Sequence, residues 1–488
     1  MHAAHAAVEA EQLYYSDIPV VLSASRLPQS LLDSPGAVTV LDSELIRSTG
    51  YRNVPDLLRL VPGFNVAWLR GWWGVVNYHG LSGEYSNRVL VRIDDRPVNS
   101  EYWTGGIDWM SLPIDVDDIE RIEVLRGSNS TSFGTNAFLG VINIRTHLPD
   151  ATDGTVVKLS GGSGVGDASV RTSFAAGAAN AQLSVGHRSD TGLDNLVDDS
   201  RTDLFNLRVD LRRAQDTFSI ALGGLHSTAG EGYVSDPFNP RRKRFSNTSY
   251  QQLNWTRQLR EDDELTLQWY HNREDYQDEG LLPLLASASP VPVDNNRLAD
   301  RNGVELHYQL HLGTALRTAW GVDWRRDELS SRAFFGTDAP MIRQTRRAFG
   351  QIEWRVTPQL LVNTGTMAER VSGTGTRVSP RLFANYELTA GQVLRAGLST
   401  ATRAPNLFES FARQVTTSQG APLDINILGN PNLVPERIRA SEIGYYGRSQ
   451  DRRYEADVRV YREALSNLVA QIEVTPRAST SPPVATAM

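Results

Sequence analysis

Strict alternation of apolar and polar residues, from about residue 154 to residue 474, constrains the fold of this 488-residue chain more than any other feature. A repeat of two residues places successive side chains on opposite faces of a β-strand. Each strand therefore has one apolar and one polar face, as in a soluble sandwich or a transmembrane barrel. The repeat is clearest at Phe205, Leu207, Val209 and Leu211, at Leu306, Tyr308, Leu310 and Leu312, and at Ala456, Val458 and Val460.

The lengths of the connections separate these two folds. Tight turns alternate with long polar loops, which is typical of an outer-membrane barrel. The sequence therefore predicts about sixteen antiparallel strands, with Tyr270, Trp320, Trp324 and Trp354 in aromatic girdles. The predicted turns are 177–180, 213–216, 259–262, 311–314, 355–358, 388–391 and 448–451, and the predicted loops are 189–201, 227–245, 277–300 and 402–435.

A different kind of sequence precedes this region. Residues 117–146 read DDIERIEVLRGSNSTSFGTNAFLGVINIRT, which predicts a strand, a small polar turn and a second β-branched strand. Two short helices are predicted earlier, one capped by Asp42 or Ser43 and ended by Gly50, the other capped by Asn53. Residues 88–99 predict a hairpin that turns at Asp94-Asp95.

The 117–146 stretch resembles the plug signature of TonB-dependent outer-membrane receptors, which runs close to IERIEVxRGPxSxxYGxxAxGGVINIxT. The match has no gaps, and Ser128, Phe133 and Leu139 stand where Pro, Tyr and Gly are usual. ATRAPNL at 401–407 and GNPNLVPE at 429–436 resemble paired motifs that flank a large extracellular loop in this family. The alternative interpretation is a generic strand-turn-strand of a soluble α/β protein.

The resemblance implies an α+β plug domain inside an antiparallel transmembrane β-barrel, with about 16 of the expected 22 strands present. It divides the chain into an N-terminal tail (1–16), a candidate TonB box (17–26), a plug (27–149), a partial barrel (150–475) and a disordered tail (476–488). Because the chain ends RASTSPPVATAM, we expect a receptor cut short at its C-terminus. The start MHAAHAAVEAEQLYY does not predict a secretory signal.

The resembling family carries a TonB box ahead of the plug, which an energy-transducing TonB-type partner captures by strand addition. The segment DIPVVLS fits this place, since its residues favour an extended backbone and Pro19 disfavours a helix. The alternative is an ordinary first strand of the plug. The predicted box consists of Asp17, Ile18, Pro19, Val20, Val21, Leu22 and Ser23.

Aromatic and arginine residues concentrate between residues 68 and 109, where the resembling family contacts its ligand. Rings beside a guanidinium suit an anionic or aromatic chelate. The alternative is that these rings pack inside the plug. His79 has no second ligand nearby, so no metal site is predicted. The predicted ligand-binding residues are Trp68, Arg70, Trp72, Trp73, Tyr102 and Trp103.

Arg126 lies in the LRG step of the plug signature, where the resembling family places an Arg that pairs with carboxylates of the barrel wall. A buried guanidinium needs such partners, because an unpaired buried charge is costly. Strand alternation offers Glu353 and Glu442 as inward-facing carboxylates, so we expect a plug–barrel lock among these three residues. The alternative is an Arg on the periplasmic surface.

Composition excludes several function classes. The chain has no Cys, so zinc–thiolate sites, thiol nucleophiles and disulfides are ruled out. A net charge of −7 does not suggest a nucleic-acid surface. No motif predicts an enzyme or a cofactor. No His lies between Arg403 and Leu433, where haem receptors of this family carry one, which argues against haem.

The resemblance implies active uptake of a scarce nutrient complex across the bacterial outer membrane. The predicted receptor is a monomer embedded in outer-membrane lipid. Its predicted ligand is a metal chelate, and a ferric siderophore is the leading prediction. Cobalamin or another nutrient is the alternative within this class. Outside it, the alternatives are a secreted β-rich adhesin or binding module, and a truncated product without function.

Overall fold

The computed structural model describes residues 20–21, 25–81, 83–149, 154–234, 236, 239–260, 262–282, 291–418, 421–449, 451 and 453–472. The structure changes character near residue 150. A mixed sheet with short helices comes before it, and long antiparallel strands come after it. In these described ranges, no helix is both long and apolar enough to cross a bilayer.

The described residues up to 149 form a plug with nine strands, five of which share one sheet. Its strands are β1 (Val20–Val21), β2 (Gln29–Ser30), β3 (Ala37–Asp42), β4 (Phe64–Arg70), β5 (Trp73–Tyr78), β6 (Val89–Ile93), β7 (Arg96–Pro97), β8 (Ile119–Arg126) and β9 (Gly140–Thr146). Its helices are α1 (Ser43–Thr49), α2 (Val54–Leu57) and α3 (Ser130–Phe133). The sheet order is β3-β8-β9-β6-β7, with β6 and β9 parallel. Ile122, Val124, Ile142 and Ile144 are fully buried in the shared core.

Most local sequence signals of the plug are confirmed, although Asn53 makes no side-chain capping hydrogen bond at the start of α2. Asp42 caps α1, because its Oδ1 accepts from the Leu45 amide at 2.8 Å, and Gly50 ends the helix at a φ of 66°. Asp94 and Asp95 turn the β6–β7 hairpin at φ values of 47° and 71°. Their carboxylates accept hydrogen bonds from Thr146 and Arg145 of β9, which helps to stabilise a backbone that non-glycine residues rarely adopt.

The described residues from 154 onward form a 16-stranded antiparallel sheet, in which fifteen strands pair in chain order from β10 to β27 and β17 pairs only with β16. Its strands are β10 (Gly154–Gly162), β11 (Val165–Ala176), β12 (Ala179–Asp190), β13 (Ser200–Arg213), β14 (Asp216–Glu231), β15 (Arg242–Gln258), β16 (Glu264–Leu282), β17 (Val291–Asp294), β18 (Arg297–Leu312), β19 (Leu316–Ser331), β20 (Thr337–Arg355), β21 (Leu360–Val371), β22 (Gly375–Thr389), β23 (Gln392–Arg403), β26 (Glu436–Arg448) and β27 (Glu455–Ser466). A separate hairpin pairs β24 (Arg413–Ser418) with β25 (Ala421–Leu428). Two short helices, α4 (Arg332–Phe335) and α5 (Leu407–Phe411), lie between strands. Within the described residues, β10 and β27 do not pair with each other.

The two ends of this barrel wall differ as predicted. At the short-turn end, strand pairing continues to Ala176↔Ala179, Arg213↔Asp216 and Thr389↔Gln392. The opposite, long-loop end carries the connections after β12, β14, β16 and β23. The last of these contains α5 and the β24–β25 hairpin.

Alternation separates the two faces of the wall. On β19, Trp320, Val322 and Trp324 point outward and are exposed. Asp323 and Arg325, at the alternate positions, are buried on the face that points toward the plug. Tyr270 is the exception to the predicted girdle. Its side chain is buried at 2% exposure, so it faces inward and the prediction was wrong for this residue. A shift of one position reverses the face of a strand residue.

Candidate functional site

The tip of the β4–β5 hairpin reaches the long-loop end of the barrel. The Gly71 amide donates to Asp198 Oδ2 at 2.6 Å, and Trp72 Nε1 donates to the Gly230 carbonyl at 2.8 Å. A Cβ at Gly71 would lie 2.9 Å from the Cα of Gly192, so this close approach requires glycine. The loops after β12 and β14 therefore close directly over the hairpin tip.

Arg70 is held by these same loops. Its Nη1 donates to the carbonyls of Val197 at 3.3 Å and Gly232 at 3.1 Å, and its Nη2 lies 3.3 Å from Glu231. The guanidinium also lies 4.8 Å from the ring centroid of Tyr233. Since these partners satisfy the charge, Arg70 can reach a ligand only if the loops move.

Tyr102 and Trp103 lie in a 3₁₀ turn whose first amides are capped by Ser100. Two barrel arginines stack on the plug rings. Arg297 lies 4.1 Å from the ring centroid of Tyr102, and Arg244 lies 3.6 Å from that of Trp72. Burial raises the pKa of the Tyr102 hydroxyl well above its ordinary value, although Arg297 opposes the shift.

The rings form a continuous ladder from the hairpin tip to this turn. Centroids are 5.5 Å apart for Trp72–Trp73, 5.3 Å for Trp73–Tyr85 and 4.7 Å for Tyr85–Trp103. Trp72 and Trp103 are buried, whereas Trp73 and Tyr85 are half-buried. Trp73 Nε1 also has no hydrogen-bond partner among the described residues. The middle of the ladder is therefore only partly covered, and the unpaired Trp73 Nε1 is itself buried.

Five of the six predicted ligand residues come together here, and Trp68 does not. Its indole Nε1 donates to Asp56 Oδ1 at 3.1 Å, on the side of the hairpin that faces α2. Below Tyr102 and Trp103, a cavity of about 30 Å³ lies against Asn272 and Glu274 of the wall. About one water molecule fits that volume, so this cavity is too small for a nutrient complex.

The two predicted loop motifs meet at the base of the large loop. Arg403, which ends β23, donates to Glu436, which begins β26, at 2.6 Å, and it donates to Glu409 of α5 at 2.9 Å. Arg88 of the plug donates to the other side of Glu436, at 2.6 Å. All four side chains are buried, so one charged network ties the plug, the wall and the large loop together. Sequence reasoning found the motifs but not this role for them.

The candidate TonB box falls mostly outside the described residues, which omit Asp17, Ile18, Pro19, Leu22 and Ser23. Val20 and Val21 are described and pair with Gln29–Ser30. Val21 is fully buried beside Leu31 and Leu32. This pairing agrees with the alternative of a first plug strand, and the box itself stays a prediction.

Arg26 anchors the chain directly after this segment, and sequence reasoning missed it. Its Nε donates to the Ser132 carbonyl at 2.5 Å, and its Nη1 pairs with Glu305 of the barrel wall. The guanidinium stacks between Phe133 and Phe349, at 4.7 Å and 4.2 Å from their centroids. Its φ of 61° is unusual for a residue other than glycine. The available signal was an Arg immediately after an extended apolar segment.

Arg126 does pair with the barrel wall, but not with the predicted carboxylates. Its Nη2 lies 2.5 Å from Asp457 of β27, and Arg395 shares the same carboxylate at 3.1 Å. The prediction that Arg126 pairs with a carboxylate of the barrel wall is therefore confirmed. The predicted partners, Glu353 and Glu442, were wrong. Alternation identified the inward-facing carboxylates, but it does not indicate which strand of the wall passes beside a given plug residue.

Glu353 and Glu442 have other partners. Glu353 accepts from Gln29 of the plug and from Arg317 Nε at 2.6 Å. Glu442 pairs with Arg459 at 2.6 Å, directly beside Gly127. Both carboxylates therefore face the plug, as predicted, although neither binds Arg126.

A small mixed-sheet domain held inside an antiparallel barrel wall, with large loops at one end, defines a plugged β-barrel receptor. Two family models match this division of the chain. The TonB-dependent receptor plug domain matches residues 30–141, and the TonB-dependent receptor-like β-barrel matches residues 178–485. The chain belongs to the TonB-dependent receptors, a family of receptors and transporters and not of enzymes. Its members are outer-membrane proteins.

Curated relatives include two kinds of receptor. The chain is 25% identical over 470 residues to the vitamin B12 transporter BtuB of Vibrio vulnificus, covering 94% of this chain and 72% of that protein. It is 26% identical over 452 residues to an iron-regulated outer membrane virulence protein of Vibrio cholerae, covering 86% of this chain and 64% of that protein.

Solved structures show the same fold. The chain superposes on a ferric enterobactin receptor from Pseudomonas aeruginosa, solved in complex with enterobactin, with a TM-score of 0.71 and 17% identity. The match covers 93% of this chain and 76% of that one. The siderophore receptor PirA from Acinetobacter baumannii gives a TM-score of 0.68 at 17% identity, over 88% of this chain and 70% of that one.

Proposed function

We propose that this receptor takes up a ferric siderophore across the bacterial outer membrane, with energy from a TonB-type partner that binds residues 17–23. The observation that carries the proposal is the ring ladder at the long-loop end, where Trp73 and Tyr85 remain only half-buried.

The chemistry of the ladder suits such a ligand. Stacked rings contribute about 0.5–1.5 kcal/mol per pair beyond burial. Arg297, which stacks on Tyr102, adds positive charge at this end of the lumen and favours an anionic chelate, whereas Arg244 is already paired with Asp108 at 2.9 Å. The iron-regulated relative and the ferric enterobactin receptor support an iron chelate.

Cobalamin is the second candidate. A relative named as a vitamin B12 transporter matches 94% of this chain. An aromatic platform also serves a large planar macrocycle, so the ladder alone does not choose between the two ligands.

Equilibrium binding to the purified full chain separates them. A ferric catecholate, a ferric hydroxamate and cyanocobalamin are titrated by calorimetry. We expect one of the ferric chelates to bind, and Trp73→Ala to weaken it by about 1–3 kcal/mol through lost stacking and burial. Trp354→Ala removes an outward-facing ring and is expected to leave the affinity unchanged. Binding of cyanocobalamin alone would select the second candidate, and an unaffected Trp73→Ala variant would remove the ladder from the site.

A further inference from the structure

Exposed arginines cluster on the outer face of the wall, on β20 to β27. Their chain neighbours Thr345, Glu369, Ile438 and Ala440 are buried, so alternation turns these arginines outward. On the same strands, toward the short-turn end, the outward residues are apolar and exposed, such as Ile352, Leu398 and Val460. These arginines form two groups: Arg346 and Arg370 on the adjacent strands β20 and β21, which we name the arginine patch, and Arg437, Arg439 and Arg462 on β26 and β27, three strands away.

The charges of the arginine patch are not compensated by the protein. Arg346 and Arg370 are direct partners in the β20–β21 register, and like charges placed opposite each other destabilise a sheet. Neither forms an ion pair with any carboxylate that the structure describes. On β16 to β19, by contrast, outward arginines at the same edge are paired, as in Arg273–Asp300 at 3.0 Å and Arg326–Glu328 at 2.9 Å. The patch therefore suits an external anion.

A groove of about 930 Å³ lies next to the arginine patch on the outer face, since its residues Gly350 and Thr366 are four positions from Arg346 and Arg370 on the same strands. Small or short residues form its floor, including Gly350, Thr366 and Pro380, and Trp320 and Leu398 flank it. Arg439 lies at one end of the groove, opposite Thr400 in the β23–β26 register. An apolar groove that ends in a guanidinium fits a molecule with a hydrocarbon chain and an anionic head.

We propose that the arginine patch and this groove bind one lipid with a phosphate headgroup, in the leaflet at the long-loop end. Guanidinium groups bind phosphate through paired hydrogen bonds, and basic clusters attract anionic lipids. The groove selects a lipid over free phosphate, because it buries the acyl chain. The inference rests on the proposed membrane location, and it does not depend on which nutrient is carried.

Native mass spectrometry of the purified full chain in a neutral detergent tests the site without requiring uptake. Three matched probes are titrated: dilauroyl phosphatidic acid, dilauroylglycerol and inorganic phosphate. We expect phosphatidic acid to bind roughly tenfold or more tightly than either fragment. Equal binding of dilauroylglycerol would overturn phosphate recognition, and equal binding of inorganic phosphate would overturn the lipid as occupant.

Variants of the arginine patch and of the groove test whether these residues bind the lipid. Arg346→Gln with Arg370→Gln is expected to weaken phosphatidic acid binding about tenfold, whereas Arg273→Gln with Arg326→Gln, which removes two paired outward arginines, changes it less than about twofold. Gly350→Leu fills the groove, since a Cβ there meets no heavy atom within 4 Å. It should weaken phosphatidic acid and leave inorganic phosphate unchanged.

An equal loss of phosphatidic acid affinity in the two double variants would show that only general surface charge matters, and it would overturn the arginine patch as the site. Retention of full affinity by Gly350→Leu would overturn the groove. Lipid binding that persists in a chain unable to take up any nutrient would count against the uptake proposal and leave the lipid site standing.

Discussion

The plug contacts the barrel by different chemistry at its two ends. At the long-loop end, Trp72 and Gly71 bind loop groups and Arg244 and Arg297 stack on rings, alongside ion pairs such as Arg88–Glu436 and Arg244–Asp108. Toward the short-turn end, the contacts are ion pairs between plug and wall, such as Arg26–Glu305, Arg126–Asp457 and Asp33–Arg355.

The difference indicates how each end responds to perturbation. Ring stacking and burial depend on shape and are largely insensitive to salt and pH. Ion pairs weaken with protonation and salt, and removal of one partner leaves an uncompensated charge. The end that would receive the ligand therefore combines shape with charge, whereas the end where the partner would pull is held mainly by charge.

The largest effect is expected from Val21→Pro at the short-turn end. Proline removes a backbone donor and fixes φ, so residues 17–23 should no longer add as a strand to a TonB-type partner. Energised uptake is expected to be abolished, while ligand affinity at the opposite end stays unchanged. Uptake and binding of labelled ligand are measured on the same cells, with Val21→Thr as the β-branched control. Normal uptake by Val21→Pro would rule out this segment as the box.

Trp72→Ala tests the shape-dependent end. It removes a ring that is 3% exposed and takes away the surface on which Arg244 stacks. We expect the free energy of unfolding to fall by about 3–5 kcal/mol. The loss should be the same at low and high salt in urea titrations, and Trp72→Phe should recover part of it. A loss that shrinks strongly with salt would contradict the distinction between the two ends.

A double-mutant cycle on Arg126→Gln and Asp457→Asn tests the charge-dependent end. The side chains are 10% and 19% exposed, so we expect a coupling of about 1–3 kcal/mol. The matched cycle of Arg126→Gln with Glu353→Gln should be additive within about 0.5 kcal/mol, because those residues do not pair. Coupling in the second cycle, or none in the first, would reverse the assignment of the lock. Both couplings are read from urea denaturation.

The smallest effect is expected at Asp118 of the plug. Burial, reinforced by Asp115, raises the pKa of Asp118 to about 7, and its Oδ2 has no partner among the described residues. The folded state thus holds the proton more tightly than the unfolded state. The stabilisation is present below the unfolded pKa and is lost as pH rises from about 4 to about 7.

Asp118→Asn should remove this part of the pH dependence. Relative to the variant, the melting temperature of the native chain is expected to fall by roughly 1–2 °C between pH 5 and pH 7.5. Identical pH profiles for the two proteins would show that Asp118 is ionised in the fold at both values.

Local patterns in the sequence predicted much of the architecture. Alternation gave the strands and their faces, and connection lengths gave the two ends of the barrel. Asp42, Gly50 and the Asp94-Asp95 turn were readable because capping and turn chemistry involve only neighbouring residues. Five of the six predicted ligand residues come together at the long-loop end, whereas Trp68 turned toward α2.

The sequence by itself determined which residues form strands, where the chain turns and which side chains face the lumen, because these properties repeat over two to four residues. Only the tertiary structure decided which lumen-facing groups meet. Arg126 and Asp457 are 331 positions apart, and no local pattern encodes that pairing. The same holds for Arg26 with Glu305 and for Arg244 on Trp72. Their partners depend on how the plug is rotated inside the wall, which is set by the packing of the whole domain.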